Sequence, residues 1–300
     1  MTDLMGTVLG ELRLESVAYR RLELDRPFRL SFDQAALRGV HVVLHGECEL
    51  VRHDGTVTSL RTGDLVMLPR ADPHILRSPG AGPLDTRPVA RIATSSPAPH
   101  ASSTVILCGA FLVGEVEHPA LQGFPTLIHI PGQDGAVAPW LRPYLDALAA
   151  EARDGGPGSD IVMARLSDAL IIRSFRHCAD TLDQPGWLRG SHDAVLAPAL
   201  RALHADLARS WTIAELAAVA GVSRATFAAR FTERMGQPVI AYVLAARMQR
   251  ARVLLRDQRA TIAAIAHQVG YGSDIAFAAA FKRAHRVTPG AYRATSRTED

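Results

Sequence analysis

Ile262–Arg293 reads IAAIAHQVGYGSDIAFAAAFKRAHRVTPGAYR, and much of its punctuation has already appeared once, about fifty residues earlier. The earlier copy runs Thr212-Ile213-Ala214-Glu215-Leu216-Ala217, then Ala220-Gly221-Val222-Ser223, then Phe227 and Phe231. The later copy runs Thr261-Ile262-Ala263-Ala264-Ile265-Ala266, then Val269-Gly270-Tyr271, then Ser273, Phe277 and Phe281. The offset is 49 up to the turn and 50 after it, so the second turn holds one more residue, Gly272 or a neighbour. A repeat of that length with its punctuation kept marks a duplicated supersecondary unit.

Each copy has the physics of a helix-turn-helix. Thr212 followed by Glu215 forms a capping box that opens a short helix. Ile213, Leu216, Ala217 and Ala220 give that helix one apolar face, and Gly221 supplies the positive φ at which it ends. Ser223 caps the next helix, and Phe227 and Phe231, four apart, pin its inner side. An ordinary helical bundle is the alternative and is favoured for one copy, but two copies with matched Thr, Gly, Ser and paired Phe tip the balance. Between the copies Pro238 opens a longer helix striped with Ile240, Leu244, Met248, Ala251 and Leu255. About 19 residues at ~1.5 Å each make a rod of roughly 28 Å. That rod holds two recognition helices about one DNA turn apart, so one chain reaches two adjacent major grooves.

Charge agrees with this reading. Of 33 Lys and Arg and 30 Asp and Glu, residues 193–300 hold 15 basic and 8 acidic, a balance of +7. The first 192 residues hold the remaining 18 and 22, a balance of −4. A basic third on an acidic body suits phosphate binding. At 300 residues the chain suits two domains. No apolar run is long enough to span a bilayer, and residues 1–17 lack the order of a secretory signal, so a cytoplasmic location is expected. Cys48, Cys108 and Cys178 are scattered and odd in number, which reads as reduced thiols.

With these residues in view, the C-terminal third resembles the AraC/XylS-type transcription regulators. The paired-helix motif, the Gly-Tyr at 270–271, the Phe-Lys-Arg at 281–283 and the closing Thr-Pro-x-x-Tyr-Arg at 288–293 carry the resemblance over about the last hundred residues. The N-terminal part resembles the cupin-type sensor domain of one branch of that family, through HVVLHGECEL at 41–50, GDLVMLPRADPHIL at 63–76 and ILCGAF at 106–111. The resemblance implies an effector-responsive activator or repressor bound to double-stranded operator DNA, with RNA polymerase as a further partner and homodimer formation through the N-terminal domain.

The DNA-facing positions depart from the family. With Phe227 and Phe277 buried, Ala225, Ala229 and Thr232 of the first recognition helix point outward, as do Ile275, Ala279 and Lys282 of the second. Family members commonly place a long polar side chain where this chain has Ala229 and Ala279. Alanine makes no bidentate contact to guanine, though it can touch a thymine methyl. The interface expected is Ser223, Arg224, Ala225, Thr226, Ala229 and Arg230 in the first unit, with Ser273, Asp274, Ile275, Ala279, Lys282 and Arg283 in the second. Arg224, Thr226, Arg230, Lys282 and Arg283 are expected to act mostly on phosphates. Arg286 stands where the family usually has the glycine that ends the helix with positive φ.

From about 12 to 113 the chain shows short alternating runs between turns, with Asp54-Gly55 and Gly63-Asp64 as the clearest. That pattern predicts a small β-barrel or jelly roll. It holds His41, His45, Glu47, His74 and Cys108, the ligand types of zinc or another divalent metal. His41 and His45 share strand parity, and His41, His74 and Cys108 are the trio singled out as a metal site, the alternative being histidines satisfied in the core or on the surface with no metal. The His-x-His pair of the first cupin motif is absent, which argues against an open catalytic metal. Cys108 also reads as a redox-sensing thiol or as plain packing.

Residues of about 136–182 are expected as two helices split at Asp154–Gly158. A linker is expected over 183–192, and a helix from Asp193 with Leu196, Leu200, Leu203 and Leu207 braces the first helix-turn-helix. The fold class is therefore α+β, with a cupin-like β-barrel and helical hairpin in 1–182. An all-α tandem helix-turn-helix domain fills 193–300, its motifs at about 212–233 and 261–283. The leading function is a DNA-binding regulator that answers a small-molecule, metal or redox effector. The rivals are a cupin-type metalloenzyme with an accessory helical domain, and a regulator whose β-domain only dimerises.

Overall fold

The computed structural model describes residues 4–12, 14–34, 36–81, 91–92, 103–114, 124–179, 185–256 and 260–295. A helix α1 (Leu4–Leu12) that the sequence reading did not foresee precedes the strands β1 (Leu14–Asp25), β2 (Arg29–Phe32), β3 (Arg38–His45), β4 (Glu47–Arg52) and β5 (Val57–Arg61). These are followed by β6 (Leu65–Met67), β7 (His74–Arg77), β8 (Arg91–Ile92), β9 (Ser103–Val113) and β10 (Ile128–Ile130). They form an antiparallel six-stranded sheet, β10-β6-β3-β9-β1-β8, and a four-stranded sheet, β2-β7-β4-β5. Side chains from both sheets, among them Val43, Val66 and Ile106 from one and Leu50, Leu60 and Leu76 from the other, make one buried core. This is the double-sheet architecture expected of a cupin.

The turns that set the register are the ones the sequence marks. Gly55 sits at φ +81°, the Arg52 amide donates to the Thr56 carbonyl at 3.0 Å, and Asp54 Oδ1 accepts from the Thr56 amide at 2.9 Å. Gly63 has φ +97°, and a Cβ there would lie 2.3 Å from the Ala136 carbonyl oxygen, so no other residue fits. The helix α2 (Arg142–Asp154) packs on α3 (Ser159–Ala179), which lies against β1 and β10 of the larger sheet, with Phe111 of β9 edge-on to Phe175 of α3 at 6.3 Å.

The remaining helices are α4 (Trp187–His192), α5 (Leu196–Ala205), α6 (Ile213–Val219), α7 (Arg224–Met235), α8 (Val239–Arg256), α9 (Ile262–Gln268), α10 (Asp274–His285) and α11 (Pro289–Thr295). The chain divides into two compact units. One is Leu12–Val116 with Phe124–Thr181, and the other is Met1–Glu11, Glu117–Gly123 and Leu182–Asp300. Two boundaries therefore differ from expectation. Of the described residues, those of α1 up to Glu11 group with the helical unit. Residues 187–192 of the expected linker are a helix rather than a tether, while 183 and 184 lie outside the described residues. Trp187 and Leu188 are buried, and the Gly186 amide donates to the Arg234 carbonyl at 2.8 Å, which docks α4 onto α7.

Candidate functional site

The two helix-turn-helix units are built by the same local chemistry. Thr212 accepts from the Glu215 amide at 3.2 Å and Glu215 returns to the Thr212 amide at 2.8 Å, the reciprocal cap read from the sequence. That amide bond, followed by the Arg209 guanidinium, holds the Glu215 carboxyl down at about 2. Thr261 caps α9 by accepting from the Ala264 amide at 3.1 Å. Gly221 and Gly270 turn the chain at φ +70° and +80°. Ser223 and Ser273 then cap the second helices, each accepting a backbone N–H at 3.2 Å. Phe227 and Phe231 meet at 5.8 Å and Phe277 and Phe281 at 5.7 Å, all of them buried.

The repeat runs further than the sequence reading took it. Gly236 and Arg286 close α7 and α10 with left-handed φ of +73° and +63°. Tyr242 then packs on Phe231, and Tyr292 on Phe281, each at 5.6 Å. Continuing the 50-residue offset past Phe281 finds both pairs. Arg247 of α8, which no sequence signal exposed, fastens the units to each other. Its guanidinium donates to the carbonyls of Leu207 at 2.8 Å and Arg209 at 2.9 Å on one side and Gly270 at 3.3 Å on the other.

With the phenylalanines inside, the opposite faces are open. Ser223, Arg224, Ala225, Thr226 and Ala229 are exposed on α7 and its cap. Ser273, Asp274, Ile275, Ala279, Lys282 and Arg283 are exposed on α10 and its cap. Arg230 does not join them as a free phosphate ligand. Its Nε lies 3.0 Å from both oxygens of the buried Asp193 carboxylate and its terminal nitrogen 2.9 Å from one of them. Asp193 also accepts from the Val195 and Leu196 amides at 3.0 and 3.1 Å, so it caps α5. Burial works against ionising this carboxyl, but the Arg230 hydrogen bond and the two amides outweigh it and leave the pKa below the ordinary value. Asp274 Oδ1 accepts from the Ile275 amide at 2.9 Å.

In the β-unit the structure brings His41, His74 and Cys108 together. His41 from the larger sheet points an Nε2 at His74 Nε2 of the smaller sheet, 2.7 Å away, and its Nδ1 lies 3.3 Å from Cys108 Sγ. His74 Nδ1 donates to the Asp72 carbonyl at 3.0 Å. That bond allows one all-neutral assignment: Cys108 S–H donates to His41, His41 N–H to His74, and His74 N–H to Asp72. Burial depresses both histidines, with His74 adding to the effect on His41 and Asp72 partly opposing it on His74. Burial likewise drives the Cys108 thiol pKa far up. Phe32 stacks on His74 at 4.9 Å and leans on His41 at 4.7 Å. A Cβ on Gly39 would lie 2.8 Å from His74 and 2.9 Å from His41, so the pair needs that glycine.

The trio forms a row, not a tripod. His41 spends a different ring nitrogen on each neighbour, so no single point faces all three donors, and among the described residues no group of three or more His, Cys, Asp or Glu is set to hold a metal. His45 and Glu47 stay outside the row. A bulge between Val43 and His45 breaks the strand parity that His45 shared with His41, and Glu47 is exposed beside Arg26 at 3.4 Å. All three cysteines are buried. No helix among the described residues is long and apolar enough to cross a membrane.

A family model described as Cupin matches residues 3–180, and one described as Helix-turn-helix domain matches 216–295. The chain is 33% identical over 299 residues to a putative AraC-like transcription regulator of Streptomyces lividans, covering 97% of this chain and 98% of that one. It is 30% identical over 310 residues to the HTH-type transcriptional regulator AlkR of Acinetobacter baylyi, covering 98% and 100%. Among solved structures, fatty-acid-bound ToxT from Vibrio cholerae is matched at 13% identity with a TM-score of 0.38, over 93% of this chain and 95% of that one.

Proposed function

The chain belongs to the AraC-like transcription regulators with an N-terminal cupin domain, and from that premise we propose that one chain reads operator DNA with both helix-turn-helix units while an effector in the cupin domain sets the response. The observation that carries the reading is the duplicated unit on a single connector. Caps, turns, phenylalanine pairs and left-handed stops recur on either side of α8, whose 18 residues span about 27 Å. A rigid spacer of that length suits two successive major grooves. Arg224 and Thr226 at the start of α7, and Lys282 and Arg283 near the end of α10, take phosphates. Ala225, Ala229, Ile275 and Ala279 face base edges. Ser223, Ser273 and Asp274 serve chiefly to shape the helix starts, because their oxygens are already accepting backbone N–H groups.

With no long polar side chain at Ala229 or Ala279, phosphate contacts dominate affinity. The protein acts in the cytoplasm as a regulator rather than an enzyme, with RNA polymerase and a second copy of itself as further partners. Binding of the full chain to the DNA upstream of its own coding region, against a scrambled duplex and across a salt series, tests this. Preference for the upstream duplex with a steep salt slope is expected. Equal binding to both, or a shallow slope with large single-base effects, would overturn it.

For the effector, the row of His41, His74 and Cys108 is a buried polar chain that joins the two sheets, and we assign the response to it. Zinc or a similar ion fits only between the two facing Nε2 atoms. With Zn–N bonds of ~2.0–2.1 Å those atoms must part to roughly 3.3 Å, leaving Cys108 behind His41 as a hydrogen-bonding neighbour. Thermal midpoints of the full chain with zinc, and with a thiol oxidant, discriminate the chemistries, since a ligand that binds only the folded state raises the midpoint. A midpoint indifferent to both would remove the row from the effector reading.

A further inference from the structure

The helical unit contains an isoleucine with no folding reason to be where it is. Ile275 is 79% exposed, the highest value among the exposed large hydrophobics, at the second residue of α10. Positions four and seven residues on lie over it on the helix surface, and these are Ala279 and Lys282, both exposed. Arg286, eleven residues on, completes the stripe at the helix stop. The stripe is thus apolar at its N-terminal end and cationic at its C-terminal end, with Phe277 and Phe281 buried on the opposite side.

A recognition helix presents its N-terminal residues to base edges and leaves its flanks to the phosphates. Of the groups displayed in the major groove, only the C5 methyl of thymine is apolar, so it alone pairs with a branched aliphatic side chain. The first unit differs, since the same stripe on α7 carries Ala225 and Ala229 with Arg224 and Thr226 alongside, all exposed. Resting on the operator-reading function above, we propose that the two units read different chemistry, and that Ile275 with Ala279 makes the α10 half-site specific for thymine methyl groups. The ligand is a major-groove edge with thymines in register, bracketed by phosphates that meet Lys282 and Arg286. Ile275 determines specificity by van der Waals contact, without hydrogen bonds.

Enrichment of duplexes from a random pool by the full chain, followed by replacement of single thymines with deoxyuridine, tests this, because the exchange removes one methyl and keeps the base pair and the phosphate. Each contacted thymine is expected to lose about fourfold in affinity on replacement, the equivalent of one buried methyl. In Ile275→Ala the replacement is expected to lose almost nothing at one or more of those thymines, the ones that meet Ile275, while a thymine that meets Ala279 keeps its loss. Being exposed, that position tolerates the change without unfolding, and Ile275→Gln serves as a second variant that should shift preference away from thymine. Enriched duplexes in which deoxyuridine is harmless everywhere, or costs the same at every thymine in Ile275→Ala, overturn the inference while leaving the DNA-reading function standing. A stripe that instead docks another protein gives that outcome. A pool that never enriches brings down the DNA-reading function and this inference together.

Discussion

Gly236 and Arg286 occupy the same place in the two halves of the repeat, each ending a recognition helix in the left-handed region, at φ +73° and +63°. Glycine adopts that conformation without a steric penalty, whereas an arginine Cβ meets the neighbouring carbonyl. Arg286→Gly is therefore expected to stabilise the protein by about 1 kcal/mol, measured by urea denaturation. Gly236→Arg is expected to destabilise it by at least as much, because a Cβ there also comes within 3.3 Å of Pro185. Equal stability of wild type and Arg286→Gly would mean that the charge near the helix end offsets the strain.

Asp193 joins the start of α5 to the recognition helix α7, and the two ends of that link respond differently. Asp193→Ala removes a helix cap and strips Arg230 and Arg234 of a carboxylate 2.9 and 3.3 Å away. A loss of about 1–2 kcal/mol is expected. This carboxyl's pKa is depressed in the fold, so its contribution is complete above the ordinary carboxylate range and fades as pH falls through its lowered value. In DNA binding, Arg224→Ala should reduce the salt slope by about 1, while Arg230→Ala leaves it nearly unchanged. A full unit of slope lost in Arg230→Ala would show that Asp193 releases it on DNA.

The histidine row gives the stability a second pH dependence, of known sign. Both imidazoles are held below their ordinary value by burial, so the folded state keeps them neutral while the unfolded chain takes up protons. Stability is thus complete above about pH 7 and falls as pH drops below the unfolded histidine pKa of about 6.5. Thermal midpoints between pH 5 and 8 should show this, and His74→Gln should flatten the acid side. A midpoint that rises on acidification would contradict the neutral row.

Much of this was legible in the residues because local chemistry is written locally. The Thr212–Glu215 cap, the glycines at the turns and the phenylalanines at i and i+4 each involve neighbours in sequence. Even Arg286 in the left-handed region follows from its place in the repeat. The union of His41, His74 and Cys108 was anticipated from ligand type, but its arrangement as a row was not, because ring orientation depends on packing against Phe32 and Gly39. The bulge after Val43 leaves no mark on the apolar alternation. The pairing of Arg230 with Asp193 was not legible, because an arginine on a recognition helix looks the same whether it faces DNA or a carboxylate 37 residues away.

Arg247 supplies the remaining prediction, since a long side chain in the middle of a connector is invisible to pattern reading. Its guanidinium ties the loop before the first helix-turn-helix, at Leu207 and Arg209, to the turn of the second, at Gly270. Four carbonyls met by one planar fork, that of Ala208 at 3.5 Å being the fourth, favour arginine over lysine, whose point charge satisfies fewer of them in fixed directions. Arg247→Lys is expected to keep the fold while loosening the hold of one unit on the other. Gly270→Ala attacks the same junction from the far side, because its φ is +80° and a Cβ would lie 2.6 Å from both the Ala208 carbonyl and the Arg247 guanidinium. On duplexes carrying both half-sites, each variant should weaken binding about tenfold, while binding to a single half-site stays near wild type. That difference follows because a rigid connector presents the second helix at no further ordering cost, whereas a loose one must be ordered on the DNA. Equal losses on single and double half-sites would locate the defect within one unit and remove Arg247 from the coupling between them.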